Sequence, residues 1–278
     1  VGKVLAVGPF LGTLLAGRAL VAAGETALLE QAIAGEVILS AALDSDAVQG
    51  VADGEGWALT GTQPVVPFAA SADHIVVAAR TGEGPSLFLI EKGAPGVEIR
   101  DYPLIDGGAA GELMLDSAAA TLLGQAGKAG PIIEEAVAAG LVALCWEAVA
   151  IMDALKVQTL EYLRTRKQFG IAIGKFQALQ HRMATLALEI EQARSSAINA
   201  ADRFAKGRLE REKAVSAAKF TIGRVGSLAA EEAIQMHGGI GMTDEYDIGF
   251  YLKRARVLEA SWGSSSYLRD RFARLSKY

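Results

Sequence analysis

The residues best suited to chemistry fall in two short segments of the second half of the chain. The first is Arg164-Thr165-Arg166-Lys167-Gln168-Phe169-Gly170, followed by Ile173-Gly174-Lys175-Phe176-Gln177. Cations at the end of a predicted helix interact favourably with its dipole. Alternatively, Arg166 and Gln168 beside an aromatic ring suit a pyrophosphate and an adenine, because a guanidinium presents paired donors to phosphate oxygens. The second segment is Gln235-Met236-His237-Gly238-Gly239-Ile240-Gly241. It carries part of a G-x-G-x-x-G pattern, but Asp244 stands where the last small residue belongs, and the segment follows a helix rather than a strand, which argues against a Rossmann site. A glycine after a helix is ordinarily a C-cap. Three glycines exceed that need, and the bare N–H groups of such a turn can approach a phosphate closely.

Other chemistry is missing from the sequence. There is no G-x-S-x-G, no H-E-x-x-H and no P-loop lysine. His74, His181 and His237 show no ligand spacing, and Cys145 is a lone cysteine, so no metal site and no internal disulfide are expected. A reducing, cytoplasmic setting fits this cysteine usage.

These segments need elements to hold them. The 278 residues suggest two domains, and with 51% hydrophobic residues the chain fills sizeable cores. The 27 Lys plus Arg against 32 Asp plus Glu leave a net charge of −5, a poor match for nucleic acid. The apolar opening from Val4 to Gly17 is interrupted by Pro9 and three glycines, which predicts a buried helix rather than a signal peptide or membrane span. Val1 is not an initiator methionine, so an N-terminal piece is expected to precede it.

Residues 10 to 41 are rich in Ala, Leu and Gly and predict two or three short buried helices. From Trp57 to Asp116 the texture changes. The runs Trp57-Ala58-Leu59-Thr60, His74-Ile75-Val76-Val77-Ala78, Leu87-Phe88-Leu89-Ile90 and Glu112-Leu113-Met114-Leu115 are separated by Gly, Pro and Asp, and predict a small antiparallel β domain. After Pro131 the period becomes helical. Leu141, Leu144, Ala148, Ile151, Leu155 and Thr159 share one face of a first long helix. Phe176, Leu179, Met183, Leu186, Ile190 and Ala193 line a second. Val215, Ala218, Ile222, Val225 and Ala229 line a third, from about Glu212 to Met236, and shorter helices follow near Phe250 and from Tyr267 to Leu275. The expected fold is mainly α with a β middle domain: residues 1–41 helical, 42–127 β, and 128–278 a bundle of four to five helices.

Arg166-Lys167-Gln168-Phe169-Gly170 with Phe176-Gln177, and Gln235 to Gly241, resemble the C-terminal signatures of the acyl-CoA dehydrogenase family, R-x-Q-F-G…F-Q and Q-x-x-G-G-x-G. Gly56-Trp57-Ala58-Leu59-Thr60-Gly61-Thr62 and Ala72 to Ala78 are similar to its middle β domain, and residues 10–41 to the end of its N-terminal helical domain. The resemblance implies FAD, desaturation of an acyl-CoA thioester with a carboxylate taking the α proton, and a flavoprotein electron acceptor. It also implies that Arg166, Gln168, Phe169, Gln235, Gly238 and Gly239 face the FAD nucleotide of a neighbouring subunit.

The family's base is missing from its usual places. Where relatives carry a glutamate before a glycine near the last helix, this chain reads Ala260-Ser261-Trp262-Gly263-Ser264, and the alternative place on the first bundle helix falls at Gly140. An indole cannot serve as general base. Glu134, Glu135 and Glu147 are the nearest acids on that helix, and Glu259 reads as a helix-end acid. The flavin-ring side departs as well. The loop is the short Ala42-Leu43-Asp44-Ser45-Asp46, and Val65-Val66-Pro67 stands where relatives place tryptophan and threonine. The chain therefore resembles the subunit without a catalytic base in bacterial steroid-CoA dehydrogenases, commonly α2β2 with a paralogous partner. The alternatives are a homo-oligomeric dehydrogenase with a displaced glutamate and a scaffold without FAD.

Overall fold

A computed structural model describes residues 1–54 and 56–277. It divides into two compact units, Gly8–Gly140 and a second made of Val1–Val7 with the residues from Leu141 onward. The helix α3 (Gly130–Thr165) begins in the first unit and continues through the second.

The first unit opens with α1 (Phe10–Ala23) and α2 (Ala27–Ala34), which end at Gly24 and Gly35. The strands are β1 (Leu39–Ala42), β2 (Val48–Asp53), β3 (Gly56–Pro67), β4 (His74–Thr81), β5 (Gly84–Glu91), β6 (Val97–Pro103) and β7 (Ala109–Leu123). Pairings β2–β3, β3–β7, β7–β5, β5–β4 and β4–β2 form a closed ring, with β1 added to β4 and β6 to β7. The pairs are antiparallel except that β4 runs parallel to both β1 and β2. Inside the ring, Val48, Leu59, Val77, Phe88, Leu113 and Ala118 form a closed core.

All four expected strand runs lie within strands. Three further strands carry weak signals for physical reasons. Leu39-Ser40-Ala41-Ala42 is buried at every position, so it lacks the alternation of a one-sided strand and reads as more helix. β2 is short and interrupted by Gly50, and β6 alternates Val97 and Ile99 with charged neighbours. The stretch 10–41 thus holds two helices and a strand, and α2 has no buried residue.

In the second unit, α3 is followed by the hairpin β8 (Lys167–Gln168) and β9 (Ile171–Ala172), then α4 (Gln177–Arg203), α5 (Arg208–His237), α6 (Ile248–Ala260) and α7 (Ser265–Ser276). Pro131 sits in the first turn of α3, where its missing N–H costs nothing. The expected inward faces of α3 and α5 are buried throughout, whereas on α4 only the lower half of the predicted row, Leu186, Ile190 and Ala193, is fully covered. α5 packs against α4, α6 and α7 and forms the axis of the bundle. By length and composition α3 is apolar enough to cross a membrane, but 56% of its most apolar stretch is buried within the protein. It also carries Glu147 and Asp153 in ion pairs, which suits a helix packed within a bundle.

Candidate functional site

The first segment is an exposed β-hairpin at the end of α3. The Arg166 N–H donates to the Tyr162 carbonyl (2.8 Å), and the Ile173 N–H donates to the Arg166 carbonyl (2.8 Å), closing the hairpin. Phe169 (φ +53°) and Gly170 (φ +80°) form its two-residue turn, both with the positive φ that a tight hairpin turn demands. Phe169 is 91% exposed and meets Phe176 edge-on at 6.1 Å. Arg166 and Gln168 are exposed. Among the described residues, none forms an ion pair with Arg164, Arg166, Lys167 or Lys175. Beside the hairpin, α3 and α4 frame a groove with an apolar floor of Leu160, Leu163, Met183 and Ala184.

The second segment ends α5. Gly238 (φ +67°, ψ −145°) lies in a backbone region open essentially to glycine, and its N–H caps the helix on the Gln235 and Ile234 carbonyls. A short 3₁₀ turn, Gly238–Met242, follows. A Cβ at Gly238 or Gly239 meets nothing within 4 Å, so both leave open backbone at the surface next to the exposed Gln235.

The two segments are brought to one end of the bundle by aromatic packing. His237 is 3% exposed and stacks on Tyr162 (4.4 Å, 25°), with Tyr246 edge-on to both rings. The Tyr162 carbonyl holds Arg166, while its ring holds the residue before Gly238. The His237 Nδ1–H donates to the Ala233 carbonyl (2.7 Å), which leaves Nε2 as a buried acceptor without a partner among the described residues. Burial pushes the imidazole below the usual histidine range, against the opposing bond to Ala233, and so favours the neutral ring.

The two places where the resemblance puts the family's base are filled differently. At Gly140 a Cβ would lie 2.8 Å from Leu15 Cδ2 and 3.2 Å from Leu11 Cδ1, so α1 occupies the space of any side chain there. Trp262 follows α6 in a left-handed conformation (φ +57°), and the next residue, Gly263, has φ +109°. The candidate acids have other partners. Glu147 accepts from Arg254 Nε (2.7 Å) with both side chains 14% exposed, and Glu135 pairs with Arg18 at 2.5 Å. Glu134 also has a partner. The Glu259 carboxylate accepts from the Ser265 N–H (3.0 Å), and this bond above all holds it below the usual carboxylate range.

The short loop after β1 is a satisfied turn. The Asp46 N–H donates to Asp44 Oδ1 (3.0 Å), and buried Gln63 donates its amide to the Ala42 and Asp44 carbonyls, both at 3.0 Å. Gln63 Oε1 accepts in return from the Asp44 N–H (3.3 Å). Val65 stands 63% exposed two residues on. Gln63, Tyr162 and Tyr246 carry no sequence signal, since each is an ordinary polar or aromatic residue whose task appears only through its partners.

Residues 130–276 match the family model for the acyl-CoA dehydrogenase C-terminal domain. The chain is 29% identical to acyl-CoA dehydrogenase FadE27 of Mycobacterium tuberculosis, over 95% of this chain and 75% of that protein. It spans 62% and 58% of the length of two other curated relatives. Among solved structures it superposes on the ChsE4-ChsE5 complex from Mycobacterium tuberculosis with a TM-score of 0.92 at 27% identity, covering 99% of this chain and 78% of that one. A variant of the Tcur3481-Tcur3483 steroid ACAD gives 0.89 at 29% identity, with the same coverage. The matched model covers more than half the chain, and the hairpin and glycine turn that carry its signatures lie within the match: the chain belongs to the acyl-CoA dehydrogenase family.

Proposed function

We propose that this chain is a subunit of an FAD-dependent acyl-CoA dehydrogenase that grips the flavin nucleotide of a paralogous partner and leaves proton abstraction to that partner. One observation carries the reading. Trp262 and the leucine-packed Gly140 occupy the base places, while Arg166 and Gln168 stand exposed and Arg166 has no counter-ion among the described residues. A free guanidinium offers two parallel donors to a pyrophosphate. Gly238 and Gly239 leave bare backbone that a nucleotide can approach, and Gln235 adds an amide at the same turn.

FAD, when bound, supplies the acceptor for the hydride from the acyl β carbon. This chain's own contribution is to bind and orient the nucleotide. Glu147 and Glu135 are engaged by arginines, so neither is poised to accept a substrate proton. The turn latched by Gln63 and the exposed Val65 offer no ring to stack on an isoalloxazine. The ChsE4-ChsE5 and Tcur3481-Tcur3483 structures, each named for two unlike chains, support a heteromeric assembly, which we take to be α2β2, and the steroid ACAD name supports a steroid side-chain CoA substrate. A flavoprotein takes the electrons, in the cytoplasm.

The test compares the visible spectrum and acyl-CoA-dependent dye reduction of the chain alone with those of the chain co-expressed with its paralogous partner. Flavin and turnover in the complex only, with one FAD for each unlike pair, is the expected result. A yellow, active protein from this chain alone overturns the proposal.

A further inference from the structure

Lys219 lies in α5 with 1% of its surface exposed, yet no carboxylate bonds its ammonium among the described residues. Nζ donates instead to the Glu259 carbonyl (2.9 Å) and the Gly263 carbonyl (3.1 Å). The Glu259 carboxylate is directed to the Ser265 N–H. Leu144, Ile151, Ile222 and Leu258 line the small cavity that Lys219 shares. Space alone does not call for a lysine here, because an uncharged chain of the same length fills it without removing a cation from water. The two carbonyl bonds are what the ammonium adds.

Those carbonyls bracket one turn. The Glu259 carbonyl belongs to the last turn of α6, where carbonyls lack helical partners and the dipole favours a cation. The Gly263 carbonyl lies beyond Trp262, whose left-handed backbone is uncommon for a bulky residue. A Cβ at Gly263 would meet Leu268 Cδ2 at 2.5 Å, so the turn has no slack on that side either. We propose that Lys219 is the positioning residue of the 260–264 turn: its buried ammonium ties the two ends of the turn together and fixes the Trp262 indole where relatives carry their base. The proposal rests on the functional reading only for the meaning of that place.

The test is hydrogen exchange on Lys219→Met in the full chain or its complex, together with Trp262 emission in a background carrying Trp57→Phe and Trp146→Phe. Loss of two charge-assisted bonds is expected to speed exchange across 259–265 by on the order of tenfold or more. Exchange across 225–233 of α5 stays unchanged, and Trp262 emission shifts to the red. Unchanged protection at 259–265, or a loss shared equally with 225–233, overturns the proposal. If the methionine variant does not fold, Lys219→Gln, which keeps a shorter donor, is read by the same two measurements. Neither readout uses flavin or turnover, so failure here is distinguishable from failure of the flavin reading.

Discussion

Gly140→Ala probes whether the leucines of α1 leave room for a side chain at the base place proposed on α3. In an open helix interior this change stabilises by about 1 kcal/mol. Here the new methyl would sit 2.8 Å from Leu15 Cδ2 and 3.2 Å from Leu11 Cδ1, and Leu15 is fully buried. Overpacking of that kind costs about 1–3 kcal/mol, so the net expectation is a destabilisation of about 0–2 kcal/mol. Leu15→Ala alone is expected to cost about 2–5 kcal/mol. In the double variant the space vacated by Leu15 accepts the methyl, so the two changes are coupled favourably by about 1–3 kcal/mol. The assay is chemical denaturation of the four proteins with unchanged slope. If Gly140→Ala stabilises by the full helix-propensity gain and is additive with Leu15→Ala, the leucines do not fill the site, and a glutamate at 140 would be tolerated.

Two further outcomes follow from buried polar groups in the bundle. The folded-state pKa of His237 is depressed, so the unfolded chain binds its proton first as pH falls, and stability declines below the ordinary histidine value of about 6.5. His237→Phe, which keeps a ring against Tyr162, is expected to flatten that part of the melting-temperature profile between pH 7 and 5; an unaltered slope contradicts it. Glu212 is 1% exposed and bonds both Arg211 (2.7 Å) and Arg271 (2.6 Å), tying α5 to α7. Glu212→Ala removes the buried carboxylate that both arginines share, leaving Arg271 its bond to Ser216 Oγ (3.0 Å), and is expected to cost about 3–5 kcal/mol in denaturant unfolding, with a cost below 1 kcal/mol contradicting the buried network.

The helical half was legible because its period is long and its faces are one-sided. Leu141 to Thr159 on α3 and Val215 to Ala229 on α5 repeat every three or four residues, and burial follows that repeat. The β half was legible only where strands alternate or are strongly apolar. Leu39 to Ala42 is buried throughout and continues an Ala-rich helical stretch, so nothing local marks it as a strand; its pairing with His74–Val77, more than thirty residues away, makes it one. Site residues divided in the same way. The hairpin and glycine turn stand out by composition, whereas Lys219 and Gln63 look like ordinary positions in a helix and a strand. Their roles come from carbonyls at 259, 263, 42 and 44, which the chain reaches only when folded.

The most direct test of the division of labour is the flavin content of the co-purified complex when Arg166→Ala is introduced in this chain alone. Arg166 is exposed and forms no ion pair among the described residues, so its removal should leave the fold and melting temperature of this chain intact. The account predicts that FAD absorbance per complex falls while both chains still co-purify, and that added FAD restores it only at higher concentration. Full retention of FAD at unchanged affinity would contradict a grip on the partner's nucleotide from this chain.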